Sequence, residues 1–339
     1  MKRIVVYDIA ASRGGGGETV LNQYFEHAHN TPQIEWWFFV SIAEYKKKQT
    51  PNIHVVFVEI RKKSAIETYV DRKKYELFEV KQAIHSINPD EVISLQNMVV
   101  PGVTCKQTVY LHQSFQFSPV KYRFTKKTER SLAFRQRIIC QIIKKHLKKA
   151  DKVIVQTKWM KKRVAEWANY PLNRIVVELP KVSLPKLCEH IVPLKRVFIY
   201  PANAYLNKNH QVIIDACKIL KSWGYMDYKI LFTVSAEKMR SYEKLWNEIE
   251  ENSLPIECVG HLEKNILFEK YQEYVTLFPS YIETFGLPLL ESKYVGGRII
   301  ASDTPFSHEI LDGYDKVTFV GWDNAKGWAE AIRKYIEEK

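Results

Sequence analysis

The chain has 339 residues, 46% of them hydrophobic, with only 13 Gly and 14 Pro, so disordered, collagenous and low-complexity classes are excluded and the length allows two domains with separate cores. The formal net charge of +13 is unevenly placed. Between Lys121 and Arg163 sixteen Lys and Arg face two acids, a local +14, while the remaining 296 residues hold 35 basic and 36 acidic side chains. A near-neutral protein with one basic segment calls for an anionic partner at that segment.

In chain order, apolar runs at Arg3–Ile9, Glu35–Ser41, His54–Ile60, Glu91–Leu95, Gln107–His112 and Lys152–Gln156 predict strands. Helical patterns at Glu18–His29, Tyr75–Ile87 and Ser131–Lys149 fall between them. The opening Lys-Arg and short apolar run is better read as a first strand than as a leader, because Asp8 interrupts it and glycines follow. After the proline-punctuated stretch Pro180–Pro193 the pattern restarts with strand Arg196–Pro201, helix Asn209–Trp223 and strand Tyr228–Thr233. Helix Glu237–Asn252, strand Ile256–Gly260, helix Leu267–Tyr274, strand Val275–Pro279, helix Pro288–Val295 and strand Arg298–Ser302 follow. Strand Val317–Gly321 and a helix from about Asn324 close the chain.

Nearly unbroken apolar strands alternating with helices imply parallel sheets covered on both faces. The expected fold class is therefore α/β, two doubly wound Rossmann-like domains facing across a cleft. The boundaries are 1–185 for an N-terminal domain and 186–339 for a C-terminal domain, with the last helix free to pack back on the first. Five scattered cysteines without Cys-x-x-Cys spacing argue against a disulfide framework or a zinc site, and no apolar run is long enough to span a bilayer. A cytoplasmic protein is expected.

Three sites carry chemistry. Arg13-Gly-Gly-Gly-Gly-Glu18 joins the first strand to a helix, where glycines let a ligand approach the backbone and the helix start favours anions. It is neither a dinucleotide fingerprint nor a P-loop. Phe278-Pro-Ser-Tyr-Ile-Glu283-Thr-Phe-Gly286-Leu-Pro-Leu-Leu-Glu291 places two carboxylates eight residues apart across a loop-to-helix junction. Pro288 suits a first helical turn, which puts Glu291 in that turn and Glu283 in the loop before it. Carboxylates there suit sugar hydroxyls, and the N–H groups of Phe285 to Leu287 suit anionic oxygens. His112 ends a strand, where a ligand could reach it.

The Glu283-to-Glu291 segment, with Phe-Gly-x-Pro inside it, resembles the signature of the retaining glycosyltransferases of family 4, which have the GT-B fold. Gly14–Gly17, Pro201-Ala-Asn-Ala-Tyr-Leu-Asn-Lys208-Asn209, Val259-Gly-His-Leu, Ala301-Ser-Asp-Thr-Pro and Ser307-His-Glu-Ile are similar to further family segments. The resemblance implies that Glu283 holds donor-sugar hydroxyls, Glu291 the nucleotide ribose, and Lys208 with the backbone at Gly286 and Leu287 the diphosphate. It further implies that His112 contacts the donor sugar. Glu283, His112 and Lys208 are thus the expected catalytic residues; Gly14, Gly15, Gly16, Asn203, Phe285, Gly286, Leu287 and Glu291 are the expected donor-binding ones. The chain departs from the family where an Arg usually precedes the Lys, since those positions are Ala202 and Asn203. No Asp-x-Asp occurs, so no metal and no cofactor is expected.

On a helical wheel Ser131–Lys149 gathers Leu132, Phe134, Ile138, Ile139, Ile142, Ile143 and Leu147 on an apolar arc that a core should cover. Lys126, Lys127, Arg137, Lys144, Lys145 and Lys148 are the expected membrane and acceptor contacts, at about 1 kcal/mol each on an anionic leaflet. The expected function is transfer of a hexose from a nucleotide sugar to a lipid-linked glycan, as in surface polysaccharide or lipopolysaccharide assembly. The enzyme would sit peripherally on the inner face of the cell membrane, with no nucleic-acid partner. A non-catalytic sugar-nucleotide or nucleic-acid-binding protein, and a sugar-nucleotide epimerase of the same architecture, are the alternatives.

Overall fold

A computed structural model describes residues 1–11, 16–60, 75, 79–181 and 196–338. The chain divides into two compact units, Met1–Val182 and Ser183–Lys339.

The first unit carries strands β1 (Lys2–Asp8), β2 (Ile34–Val40), β3 (Ile53–Phe57), β4 (Glu91–Ser94), β5 (Lys106–Tyr110), β6 (Lys152–Val155) and β7 (Ile175–Val177). They form one parallel sheet in the order β3-β2-β1-β4-β5-β6-β7. Period-2 alternation sends Ile4 and Val6 to one face and Val5 and Tyr7 to the other. The first pair packs with α1 (Gly16–His29) through Val20, Leu21 and Phe25. Phe25 stacks on Phe38 of β2 with centroids 3.8 Å apart. The second pair packs with α2 (Val80–Ile87) through Val80, Ile84 and Ile87. Both faces being dry explains why the strands read as unbroken apolar runs. Of the predicted helix Tyr75–Ile87, residues 76–78 lie outside the described residues.

The predicted helix Ser131–Lys149 is three pieces: α3 (Arg130–Phe134), a π-helical turn (Arg135–Ile139) and α4 (Cys140–Leu147). The π turn carries an extra residue per turn and changes which face is covered. Ala133, Gln136, Cys140, Ile143 and Leu147 are buried, whereas Phe134, Ile138 and Ile142 are exposed, which corrects the expected apolar arc. Gln136 is tolerated inside because its amide serves three backbone groups. It donates to Val120 O (2.8 Å) and Phe115 O (3.3 Å) and accepts from Tyr122 N (3.2 Å). Helix α5 (Lys158–Ala168) follows β6, its start capped by the Thr157 hydroxyl, which accepts from Met160 N.

The second unit repeats the scheme with β8 (Val197–Tyr200), β9 (Lys229–Phe232), β10 (Ile256–Cys258), β11 (Val275–Phe278), β12 (Arg298–Ser302) and β13 (Val317–Val320). Their order is β10-β9-β8-β11-β12-β13, all parallel. Its helices are α6 (His210–Ser222), α7 (Ala236–Arg240), α8 (Glu243–Glu251), α9 (Lys264–Glu273), α10 (Leu287–Tyr294), α11 (Pro305–Ile310) and α12 (Ala325–Glu337). The predicted helix Glu237–Asn252 is thus two helices, α7 and α8. Helix α12 packs on α6 of its own unit, burying Trp328, Ile332 and Ile336. Each sheet has a central strand whose neighbours run off in opposite directions, and ligands of such sheets bind outside the strand ends where the order reverses. In the second unit that point lies between β8 and β11.

Candidate functional site

The loops leaving β8 and β11 meet at this reversal point. After Tyr200 the chain makes a single 3-10 turn, Leu206–Lys208, and Asn209 adopts a left-handed conformation (φ 59°) before α6 begins. After Phe278 the second loop runs to Gly286 and into α10. Asn207 Nδ2 donates to Ile282 O (3.4 Å), and Tyr281 N donates to Asn207 O (3.2 Å). Asn209 Nδ2 donates to Pro279 O (3.2 Å) and Trp322 O (2.7 Å). The fully buried Tyr200 hydroxyl donates to Lys208 O (2.5 Å) and lies 3.2 Å from Ser280 Oγ.

This stitching brings Lys208 and Glu283, 75 positions apart in sequence, into one ion pair, Nζ to Oε1 2.5 Å. Both are mostly shielded, their side chains 22% and 16% exposed. Gly286 takes φ 105°, a conformation disfavoured by side chains, and caps α10. A Cβ there would make ordinary contacts with Leu289, Ile310 and Phe278 at 3.4–3.5 Å, so the backbone conformation, not space, is what calls for glycine. Phe285 is buried, and Leu287 is the first residue of α10, whose initial N–H groups lack intrahelical acceptors.

Glu291 differs from expectation. Because α10 starts at Leu287, Glu291 is its fifth residue rather than a first-turn one, and the first turn carries no acid. Its Oε2 accepts from the Tyr271 hydroxyl (3.2 Å) on α9. Burial raises its pKa, a shift opposed by the Lys264 ammonium and the Tyr271 hydrogen bond. Asn203 is exposed in the β8 loop, its carbonyl accepting from Tyr205 N (2.8 Å). Tyr200, Lys264 and Tyr271 support this site and are not singled out from the sequence, while Asn207 and Asn209 enter there only as part of the segment around Lys208. The asparagines flanking Lys208 were the available signal, since Asn is the non-glycine residue best suited to left-handed turns.

In the first unit His112 lies just past β5. Its main-chain N–H donates to Asn97 Oδ1 (2.6 Å), and Asn97 is itself left-handed (φ 66°) just past β4. The ring stacks on Tyr110 at 4.4 Å, and burial pushes its pKa down to about 4, so it is neutral near pH 7. Its Nε2 is shielded and has no hydrogen-bond partner among the described residues. Gly16 opens α1 and is exposed with open space at its Cβ position. Arg13, Gly14 and Gly15 lie outside the described residues. The buried Asp8 carboxylate at the end of β1 accepts from Ala10 N and Ala11 N at 3.1 and 2.9 Å, turning the chain toward them.

Of the basic side chains, Lys126 pairs with Glu129 (3.0 Å) and Arg137 donates to Tyr122 O (3.3 Å). Lys144 lies over Trp167 at 5.8 Å, and Lys127, Lys145 and Lys148 are exposed. Among the described residues no group of three or more His, Cys, Asp or Glu is placed to hold a metal ion, and no helix is long and apolar enough to cross a membrane.

Residues 190–339 match the family of group 1 glycosyl transferases. The match covers the loops that pair Lys208 with Glu283. The O-antigen chain mannosyltransferase RfbU of Salmonella typhimurium is 28% identical over 131 residues, 39% of this chain and 33% of that one. The chain spans 33% and 60% of the lengths of two curated proteins that it matches. Among solved structures, sucrose-phosphate synthase of Thermosynechococcus elongatus is 16% identical with TM-score 0.70, over 98% of this chain and 89% of that one. HepE of Anabaena, solved in complex with UDP-glucose, is 12% identical with TM-score 0.68, over 99% and 90%. At such identities the structural likeness establishes the fold, the two parallel α/β units of GT-B glycosyltransferases.

Proposed function

We propose that this protein is a retaining, metal-independent glycosyltransferase that moves a hexose from a nucleoside-diphosphate sugar to a lipid-linked or surface-polysaccharide acceptor. The observation that carries the reading is the Lys208–Glu283 pair at the reversal point of the second sheet, one residue suited to a diphosphate and the other to sugar hydroxyls. The family match over the same unit and the UDP-glucose complex of HepE support a nucleotide-sugar donor. RfbU, a mannosyltransferase of O-antigen chains, supports a hexose and a surface-polysaccharide acceptor.

In this reading the acceptor hydroxyl oxygen bonds to the sugar anomeric carbon as the bond from that carbon to the diphosphate oxygen breaks. The acceptor proton passes to the departing phosphate on the same face, which retains configuration without a protein nucleophile. Lys208 and the N-terminal amides of α10 stabilise the charge growing on the leaving group, and this cationic role needs no metal. Glu283 accepts from sugar hydroxyls, Glu291 from the ribose, and neutral His112 offers the sugar its Nε2, which has no partner among the described residues. Gly14, Gly15 and Gly16 border the donor, while the segment 121–163 attaches the enzyme to the inner face of an anionic membrane.

A panel of nucleotide sugars in a thermal-shift assay, followed by donor hydrolysis with the best ligand, tests this. One member should raise the melting temperature and be turned over. No shift with any member would overturn the reading in favour of a non-catalytic protein.

A further inference from the structure

Helices carrying apolar residues on a wheel normally bury them, yet α3, the π turn and α4 bury Ala133, Gln136, Cys140, Ile143 and Leu147 and leave a second apolar row outside. Phe134, Ile138 and Ile142, spaced four apart, are 47%, 44% and 37% exposed, and Phe124 nearby is 43% exposed. The row lies in the most basic part of the chain. From 130 to 149 there are seven Lys and Arg and no acid, and all of the seven but Lys144 are exposed. The acids that flank it in sequence are occupied: Glu129 pairs with Lys126 and accepts from Arg123 N, and Asp151 accepts from Gln107 N. The Arg137 guanidinium stands 5.5 Å over the Phe124 ring, so cation and aromatic face share one surface.

We propose that Phe134, Ile138 and Ile142, with Phe124, form a wedge that inserts into the interface of an anionic lipid bilayer while the surrounding Lys and Arg hold the headgroups. An amphipathic surface of this kind binds by apolar burial and charge together. Aliphatic side chains decide between the two polyanions that a basic face could meet. Isoleucine has no ring on which a base could stack, so a nucleic acid gains nothing from Ile138 or Ile142, whereas the acyl boundary does. The proposal rests on the membrane-side reading of the acceptor and adds to it the residues that enter the bilayer.

Flotation with vesicles of phosphatidylcholine alone and with about one third phosphatidylglycerol, using the full chain without donor, tests the wedge. The wild-type protein should float with the anionic vesicles and not with the neutral ones. The Ile138→Ser/Ile142→Ser pair, with every cation intact, should bind at least about tenfold more weakly, and Ile142→Trp should bind at least as well as wild type. An unchanged melting temperature shows that the serine variant is folded. Equal binding by the serine pair, or no binding by wild type, would overturn the wedge. So would a wild-type dimer that the serine pair dissolves, or RNA competing the protein off vesicles with the serine pair bound to RNA as tightly as wild type. A protein that floats but transfers nothing contradicts only the transferase reading. One that transfers to a soluble acceptor without floating contradicts only the wedge.

Discussion

Replacing Glu283 by Gln keeps the shape of the side chain and removes its charge, which separates two roles that the ion pair ties together. Lys208 Nζ lies 2.5 Å from the Glu283 carboxylate, so a diphosphate must compete with that carboxylate for the same ammonium. At this distance and an effective dielectric of about 20 the Coulomb attraction is about 7 kcal/mol. Most of it offsets the cost of drying two side chains that are 22% and 16% exposed, leaving a net of about 1 kcal/mol. Glu283→Gln should therefore bind UDP or GDP, without a sugar, as well as wild type or up to about fivefold more tightly. The same variant should lose about a hundredfold in transfer, the value of charge-assisted hydrogen bonds to sugar hydroxyls in the transition state. Calorimetric titration with the diphosphates and a single-turnover transfer assay read the two effects separately. Diphosphate binding weakened tenfold, or transfer near the wild-type rate, would refute the competition and the assignment of Glu283.

Glu291→Gln removes a carboxylate whose pKa burial raises, so the melting temperature at pH 7 should hold or rise while donor affinity drops about 10- to 100-fold, as thermal melts and donor titration will show. Gly286→Ala forces a side chain into φ 105°, costing roughly 1–2 kcal/mol of stability in urea unfolding, with weaker diphosphate binding. His210 is buried between Tyr200 and Phe232 with its pKa pushed down to about 3 from 6.5. The unfolded chain binds its proton first as pH falls below 6.5, so stability is lost over the window from 6.5 towards 3. At pH 5 that loss is about 2 kcal/mol, and His210→Leu should flatten this part of the stability–pH curve; an unchanged slope contradicts the assignment.

The strands were legible where both faces of a sheet are dry, so the runs Ile4–Tyr7 of β1, Trp36–Val40 of β2 and Ile299–Ala301 of β12 lack polar interruptions. The three-residue edge strand β7 left no such run. Helix α5, Lys-Trp-Met-Lys-Lys-Arg at its start, read as part of the basic segment although Met160, Val164 and Ala168 are four apart and buried. The wheel for Ser131–Lys149 assumed 3.6 residues per turn, and the π turn at Arg135–Ile139, with Gln136 tied to three backbone groups, moved the covered face. Glu283 and Lys208 were each legible as site candidates, but their contact depended on β8 and β11 being neighbours, which spacing along the chain does not reveal. Tyr271 was hidden for the same reason, reaching Glu291 from another helix.

The asparagines around Lys208 have a consequence for how this site changes. Since Asn207 and Asn209 fasten the β8 loop to Ile282 and Pro279, the two loops are one mechanical part. An insertion in either would displace the cation and the carboxylate in concert instead of widening the gap between them. Altering donor choice by loop exchange therefore requires both segments, 201–209 and 279–286, to be moved as a matched set.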